Sequence, residues 1–196
     1  MSRLVLVLGD LFIPDRAPDL PAKFKTLLTP NKIHQILCTG NLTDRPTYDF
    51  LRSLAPDLHI TKGPYDVDAP NLPPFKIVTH GNFRIGLTHG TSIVPPGDLD
   101  SLLIMARQMD VDVLIWGGGH KVESVDFEGR FFVNPGSATG AVGEGWGEEE
   151  CIPSFCLMDI QGDVLNLYIY KIIKGEDGSD QTRIERCQFR RMVKEE

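Results

Sequence analysis

The chain lacks most of the features that would fix its class at a glance. Its four cysteines, Cys38, Cys151, Cys156 and Cys187, form no CxxC pair and no zinc-ligand spacing, which argues against a zinc finger. Cys38 and Cys156 lie in apolar strand-like runs, where a reduced thiol acts as a small hydrophobe. A reducing, cytoplasmic compartment is therefore expected. No run of 18 apolar residues occurs, so a membrane-spanning helix is not expected. The start of the chain has no basic flank followed by a long apolar stretch and a small-residue cleavage site, and secretion is not expected either. Basic residues are scattered, with no run longer than Arg190-Arg191 against a net charge of −7. That balance excludes an extended nucleic-acid surface or a polybasic membrane anchor. There is no internal repeat and no linker to divide the chain.

What is present is a core. At 196 residues, 41% hydrophobic and 24% charged, the chain suits one globular domain over residues 1–196, with the tail after about residue 190 a candidate for disorder. LVLVL (Leu4 to Leu8) has no polar alternation, as suits a strand buried on both faces. It stops at Gly9-Asp10. PAKFKTLL (Pro21 to Leu28) then places Pro in a first turn and Phe24, Leu27 and Leu28 at helical spacing, predicting a short helix. Ile36-Leu37-Cys38 ends in Thr39-Gly40-Asn41, and Thr47 to Leu54 returns to a helical pattern, making a second strand-helix unit.

Leu58 to Thr61 runs into Gly63-Pro64-Tyr65-Asp66, and FKIVTH and FRIGLTHG flank the hairpin signal Gly81-Asn82 before ending at His89-Gly90. Asp98 caps an amphipathic helix carrying Leu99, Leu102, Leu103 and Ala106, and Val113 to Trp116 then reads as a buried strand that runs out at Gly117-Gly118-Gly119-His120. From there only strands are expected: Val122 to Phe127, Arg130 to Asn134, Phe155 to Gln161, Val164 to Lys171 and Arg183 to Phe189. The acidic, Gly-rich stretch Gly143 to Glu150 reads as a solvated excursion. Alternating strands and helices followed by strands alone suggest helices outside two packed sheets.

Asp10, Asn41, Asp66, His89 and His120 thus stand at or just past the ends of apolar runs. Each admits two readings, a turn or cap residue closing a core strand, or a ligand or phosphate-facing group. Together they resemble the small calcineurin-like metallophosphoesterases, whose motifs D-x-H, G-D, G-N-x-D, H-G-H and G-H-x-H sit at successive strand ends of a four-layer α-β-β-α sandwich. Here those places read Asp10-Leu11-Phe12, Gly40-Asn41, Gly63-Pro64-Tyr65-Asp66, His89-Gly90-Thr91 and Gly117-Gly118-Gly119-His120. The stretches GDLFIPDRAPDLPAKFKTLL, ILCTGNLTDRPTYDFL, DVLIWGGGHK, FFVNPGSATGA and IPSFCLMDIQG narrow the resemblance to the branch of this family that serves the retromer complex. By that resemblance the chain is a compact scaffold in endosome-to-Golgi and endosomal recycling transport, peripheral on the cytosolic face of endosomes and held by a long helical-solenoid subunit, vacuolar protein sorting subunit thirty-five.

The departures from the enzyme pattern are physical. Two dications about 3.5 to 4 Å apart repel by roughly 15 to 20 kcal/mol at an effective dielectric of 20, and the resemblance puts neutral Asn41 where the family has its bridging carboxylate. It also puts Phe12 at a histidine ligand of the first metal, and Pro64 and Gly118 at the asparagine and histidine ligands of the second. The relict positions Asp10, Asn41, His89 and His120 imply no catalytic residue and no resident metal, with residual divalent binding left open. His89 and His120 are expected to be satisfied by backbone partners, and Asp66 to be a turn residue. The alternative is a metal-dependent phosphoesterase with an atypical centre.

Two surfaces are candidates for partners. Ile93 and Val94, fixed by Pro95-Pro96, form an apolar loop that either tucks into the core or, by resemblance, meets the solenoid subunit. In the hairpin FCLMDIQGDVLNLYIY a two-residue Gly162-Asp163 turn sets Leu157 opposite Tyr168 and sends Leu165, Leu167 and Ile169 to the core. Leu157, Tyr168 and Tyr170 share the other face. They either lie beneath an outer helix or form an anchor pocket, which by resemblance recruits regulatory proteins.

Overall fold

A computed structural model of the chain describes residues 3–143 and 151–191. Glu144 to Glu150, nearly all of the acidic stretch, and the tail from Met192 lie outside the described residues. Among the described residues eleven strands and three helices run in the order β1 (Arg3–Leu8), α1 (Ala22–Leu27), β2 (Gln35–Cys38), α2 (Arg45–Leu54), β3 (Leu58–Ile60), β4 (Phe75–His80), β5 (Phe83–Thr88), α3 (Leu99–Gln108), β6 (Val113–Ile115), β7 (Val122–Phe127), β8 (Arg130–Pro135), β9 (Ser154–Gln161), β10 (Val164–Lys174) and β11 (Asp180–Arg190). They form a six-stranded sheet ordered β11-β10-β9-β1-β2-β3 and a five-stranded sheet ordered β4-β5-β6-β8-β7.

Each sheet is apolar on both faces, which makes three cores and four layers. Val5 and Val7 point into the core between the sheets with Leu37, Val113, Ile115, Leu165 and Leu167. Leu6 and Leu8 point the other way, beneath α1 and α2, with Phe24, Leu51 and Phe155. The unbroken apolar run of β1 has this cause, since alternate residues enter different cores and neither face meets water. The second sheet repeats the arrangement, with Leu114 and Phe132 packed outward under Leu102, Leu103 and Ala106 of α3. Burial pushes the Cys38 thiol up to about 12, so it packs as an inert side chain.

α1 and α3 start where expected, whereas α2 starts at Arg45, two residues before the expected Thr47, because Asp44 caps it. The Asp98 carboxylate accepts from Ser101 N at 2.8 Å, and Asp44 caps α2 by accepting from Thr47 N at 3.1 Å. In α1, Phe24 and Leu28 are buried but Leu27 is 44% exposed. A helix of six residues offers the sheet little more than one turn, and its last residue lies off the buried stripe.

At the edge of the sandwich where β1 and β2 begin, a polar chain fastens the sheets. Arg3 donates to His80 Nδ1 at 3.2 Å, His80 Nε2 donates to Gln35 Oε1 at 2.6 Å, and Gln35 Nε2 donates to Asp57 Oδ2 at 2.6 Å. Burial, and then the neighbouring Arg3 charge, hold the His80 pKa below its ordinary 6.5. The unfolded chain therefore binds more protons below that pH. The stability due to neutral His80 is complete above pH 6.5 and is lost as pH falls through the lower folded value. Thermal unfolding of His80→Gln against pH should show a shallower decline below pH 6.5 than wild type; an identical decline would contradict the assignment.

Candidate functional site

β1 and β2 are parallel neighbours in one sheet, β5 and β6 in the other, and their C-terminal ends meet at one edge of the sandwich. Asp10, Asn41, His89 and His120 leave these ends and converge there. Asp10, Phe12, Asn41 and His120 all hold left-handed backbone, with φ between 50° and 53°, a conformation that costs free energy in non-glycine residues and concentrates at functional sites. Gly40, at φ 108°, passes so close to Gly63 that a Cβ would lie 2.6 Å from the Gly63 nitrogen.

The fully buried Asp10 carboxylate is the centre of the cluster. Its Oδ1 accepts from Asn41 Nδ2 at 2.9 Å and lies 3.2 Å from His89 Nε2, which itself lies 2.8 Å from Asn41 Nδ2. Its Oδ2 accepts from Gly118 N at 3.0 Å and His120 Nδ1 at 3.1 Å. Burial alone would raise its pKa, but the hydrogen bonds from His120 and His89 and their charges outweigh it and hold the group well below the usual carboxylate range. The two histidines are thus satisfied chiefly by a carboxylate. An expected backbone partner is found at the far nitrogen of His120, where Gly143 N donates to Nε2 at 3.1 Å; His89 Nδ1 is buried without a partner among the described residues.

Asp66 stands apart from this cluster, in keeping with a turn residue. Its oxygens accept from four backbone amides: Asn41 N at 2.7 Å, Gly63 N at 2.8 Å, Leu42 N at 3.0 Å and Thr43 N at 3.3 Å. One buried carboxylate thereby holds both the turn after β3 and the loop that presents Asn41.

The donor set does not fit two divalent cations. Asn41 Oδ1 accepts from Tyr65 N at 3.0 Å, which turns its amide nitrogen, a donor, toward the cluster. Gly143 N on His120 Nε2 fixes the proton on Nδ1, the atom that faces Asp10. The place of a histidine ligand is filled by Phe12, buried and edge-on to Tyr65 at 5.1 Å and to His120 at 5.7 Å. The Arg16 guanidinium lies over the Phe12 and Tyr65 rings at 5.8 and 5.2 Å and donates to Val142 O at 2.9 Å. Among the described residues no group of three His, Cys, Asp or Glu has the geometry to hold a metal ion. The closing roles of Phe12, Tyr65 and Arg16 had one signal in the sequence, an aromatic where the family motif has histidine.

The two candidate surfaces lie elsewhere. Val94 is 74% exposed, whereas Ile93 is 3% exposed and packs with Leu102, Leu103 and Trp116. Ile93 is corrected to an anchor of the loop, because α3 and Trp116 offer it a core that Val94, one residue on, points away from. Ile104, 56% exposed, lies one helical turn after Ser101 of α3, whose Oγ donates to Val94 O; it is the apolar residue off the buried stripe of α3 and was readable as such. On the other face Leu157 pairs with Tyr168 as the turn dictates, and Phe155 pairs with Tyr170. Leu157 and Tyr170 are partly buried against the core that contains Phe24, and Tyr170 stacks on Phe155 with centroids 4.7 Å apart. Ile184, 55% exposed and opposite Tyr170, and Arg186, over the Tyr168 ring at 5.7 Å, enlarge the patch. Extending the hairpin register one strand further would have found both.

A family model described as the calcineurin-like phosphoesterase superfamily domain matches residues 4–163. The chain is 47% identical to vacuolar protein sorting-associated protein 29 of Schizosaccharomyces pombe, over 96% of this chain and 98% of that protein. It resembles the crystal structure of Chaetomium thermophilum Vps29 with a TM-score of 0.91 at 51% identity, covering 96% of this chain and 99% of that one. The same protein complexed with a cyclic peptide gives 0.88 at 50% identity, covering 98% and 100%. Entamoeba histolytica Vps29 complexed with Zn2+ gives 0.85 at 40% identity, covering 95% and 99%.

Proposed function

The chain belongs to the calcineurin-like phosphoesterase superfamily and within it to the Vps29 family, and from that premise we propose that it is a non-catalytic scaffold subunit of retromer in endosomal protein transport. The likeness to Vps29 across nearly the whole length of both chains carries the reading. The chain brings the helical-solenoid retromer subunit and regulatory proteins together on separate faces. It sits on the cytosolic side of endosomes through these partners; none of its described helices is long and apolar enough to cross a membrane. Val94 and the neighbouring Ile104 serve the solenoid subunit, and Leu157, Tyr168 and Tyr170 serve the regulators. The cyclic peptide bound by Chaetomium thermophilum Vps29 supports a peptide-receiving surface in this family.

A second reading, a metal-dependent phosphoesterase with an atypical centre, is favoured by the zinc complex of Entamoeba histolytica Vps29. One preparation separates the two. The purified full chain should co-elute with the solenoid subunit in size-exclusion chromatography and hydrolyse a phosphodiester no faster than buffer with manganese or zinc. Turnover that disappears in Asp10→Ala would establish the second reading instead.

Leu157→Glu is expected to weaken regulator binding at least about 30-fold, roughly 2 kcal/mol, by placing a charge among Tyr168, Tyr170 and Ile184. Solenoid binding should be unchanged. Isothermal titration against each partner checks both halves, and loss of solenoid binding as well would remove the two-face assignment.

A further inference from the structure

We propose that in this chain the Asp10 carboxylate has taken over the mechanical task of a metal centre, clasping the two sheets together through hydrogen bonds in a cluster that admits no divalent cation. The donors come from both sides. Asn41 follows β2 of the sheet that holds Asp10, whereas His89 follows β5, and Gly118 and His120 follow β6, of the other sheet. Four contacts of 2.9 to 3.2 Å thus bring groups from both sheets onto one fully buried anion, which is how a bridging metal pair would join them.

The Asn41 amide and both nitrogens of His120 are already committed. A cation would have to rotate the Asn41 amide and leave Tyr65 N facing an NH2 group. It would also have to take the proton from His120 Nδ1 while Gly143 N–H blocks Nε2 from receiving one. A histidine restored at position 118 would be strained, because φ there is 76° and a Cβ would lie 3.1 Å from His89 Cε1. The inference stands apart from the scaffold reading, since partner binding can fail while the clasp holds, and the reverse.

The full chain is tested as purified. Metal content by plasma mass spectrometry should fall far below one ion per chain, and the thermal midpoint should not move with EDTA or millimolar manganese or zinc. A micromolar site would favour the folded state about 1,000-fold under those conditions, a rise of roughly 10 °C. A saturable rise of that kind, or a retained stoichiometric ion, would overturn the proposal. Asp10→Ala in EDTA should lower the midpoint by about 10 °C, and an unchanged midpoint would overturn the clasp. If that variant cannot be purified, the imidazole 15N spectrum of wild type decides. His120 should be the Nδ1–H tautomer and unmoved by zinc; an Nε2–H tautomer or a zinc-dependent shift contradicts the proposal.

Discussion

Val94→Asp is expected to abolish binding of the solenoid subunit while leaving the domain folded. Val94 is 74% exposed, so an aspartate there meets water in the free chain and should change its stability by no more than about 0.5 kcal/mol. The loop is held in place from both ends. Ile93 is sunk in the core beneath α3, and Ser101 Oγ donates to the Val94 carbonyl at 3.0 Å, so the side chain at 94 is presented by a rigid support. Rigid presentation lowers the ordering cost of binding. A carboxylate carried into an apolar interface with no cation to meet it should cost at least about 3 kcal/mol, a loss of more than about 100-fold in affinity. Titration calorimetry and a thermal melt of the same sample check both parts. Unchanged affinity would move the solenoid interface to another face, and a collapsed melting curve would make Val94 a structural residue.

Asp66→Ala should be the most damaging single change to stability outside the cores. Four backbone amides, two of them within 2.8 Å, spend their hydrogen bonds on this one buried carboxylate. Hydrogen bonds to a charged acceptor are the stronger class, and each buried donor left unmet costs about 1 to 3 kcal/mol. Allowing for water and loop relaxation, a loss of about 4 to 5 kcal/mol is expected, lowering the melting temperature by roughly 10 to 15 °C. Asp66→Asn should fall between, since one oxygen remains and the other becomes a donor facing amide donors. Chemical denaturation in EDTA measures this with any role in metal binding removed. A loss under about 1 kcal/mol would mean that the amides find other partners and that Asp66 is not what holds the loop.

The parts of the fold that could be read from the sequence are those governed by periodicity. The unbroken apolar run of β1, the helical stripe of α3 and the two-residue turn at Gly162-Asp163 each fix which way side chains point without reference to the rest of the chain, and the pairing of Leu157 with Tyr168 follows. The strand-end positions of Asp10, Asn41, His89 and His120 were legible for the same reason. Which group each of them meets was not. The proton on His120 Nδ1 depends on an amide 23 positions away at Gly143, and the inward turn of Ile93 depends on Trp116 and Leu102. In a loop no period carries such information. Leu27 of α1 shows the limit of periodicity itself, because a helix of six residues is too short for its spacing to define a face.

The pairing of β1 with β9, which sets Val5 against Met158, also has a consequence for how the chain is made. At roughly 5 to 20 residues per second, the ribosome needs on the order of 10 to 30 s to bring the second partner out after the first. Throughout that interval Leu4 to Leu8 can pair only with β2, and one edge of a strand apolar on both sides stays open. Closing so distant a pair is intrinsically slow. The nascent chain should therefore depend on a holding chaperone until about residue 161 has emerged, and a release experiment in chaperone-depleted translation extract would show it as aggregation of the products that end before β9.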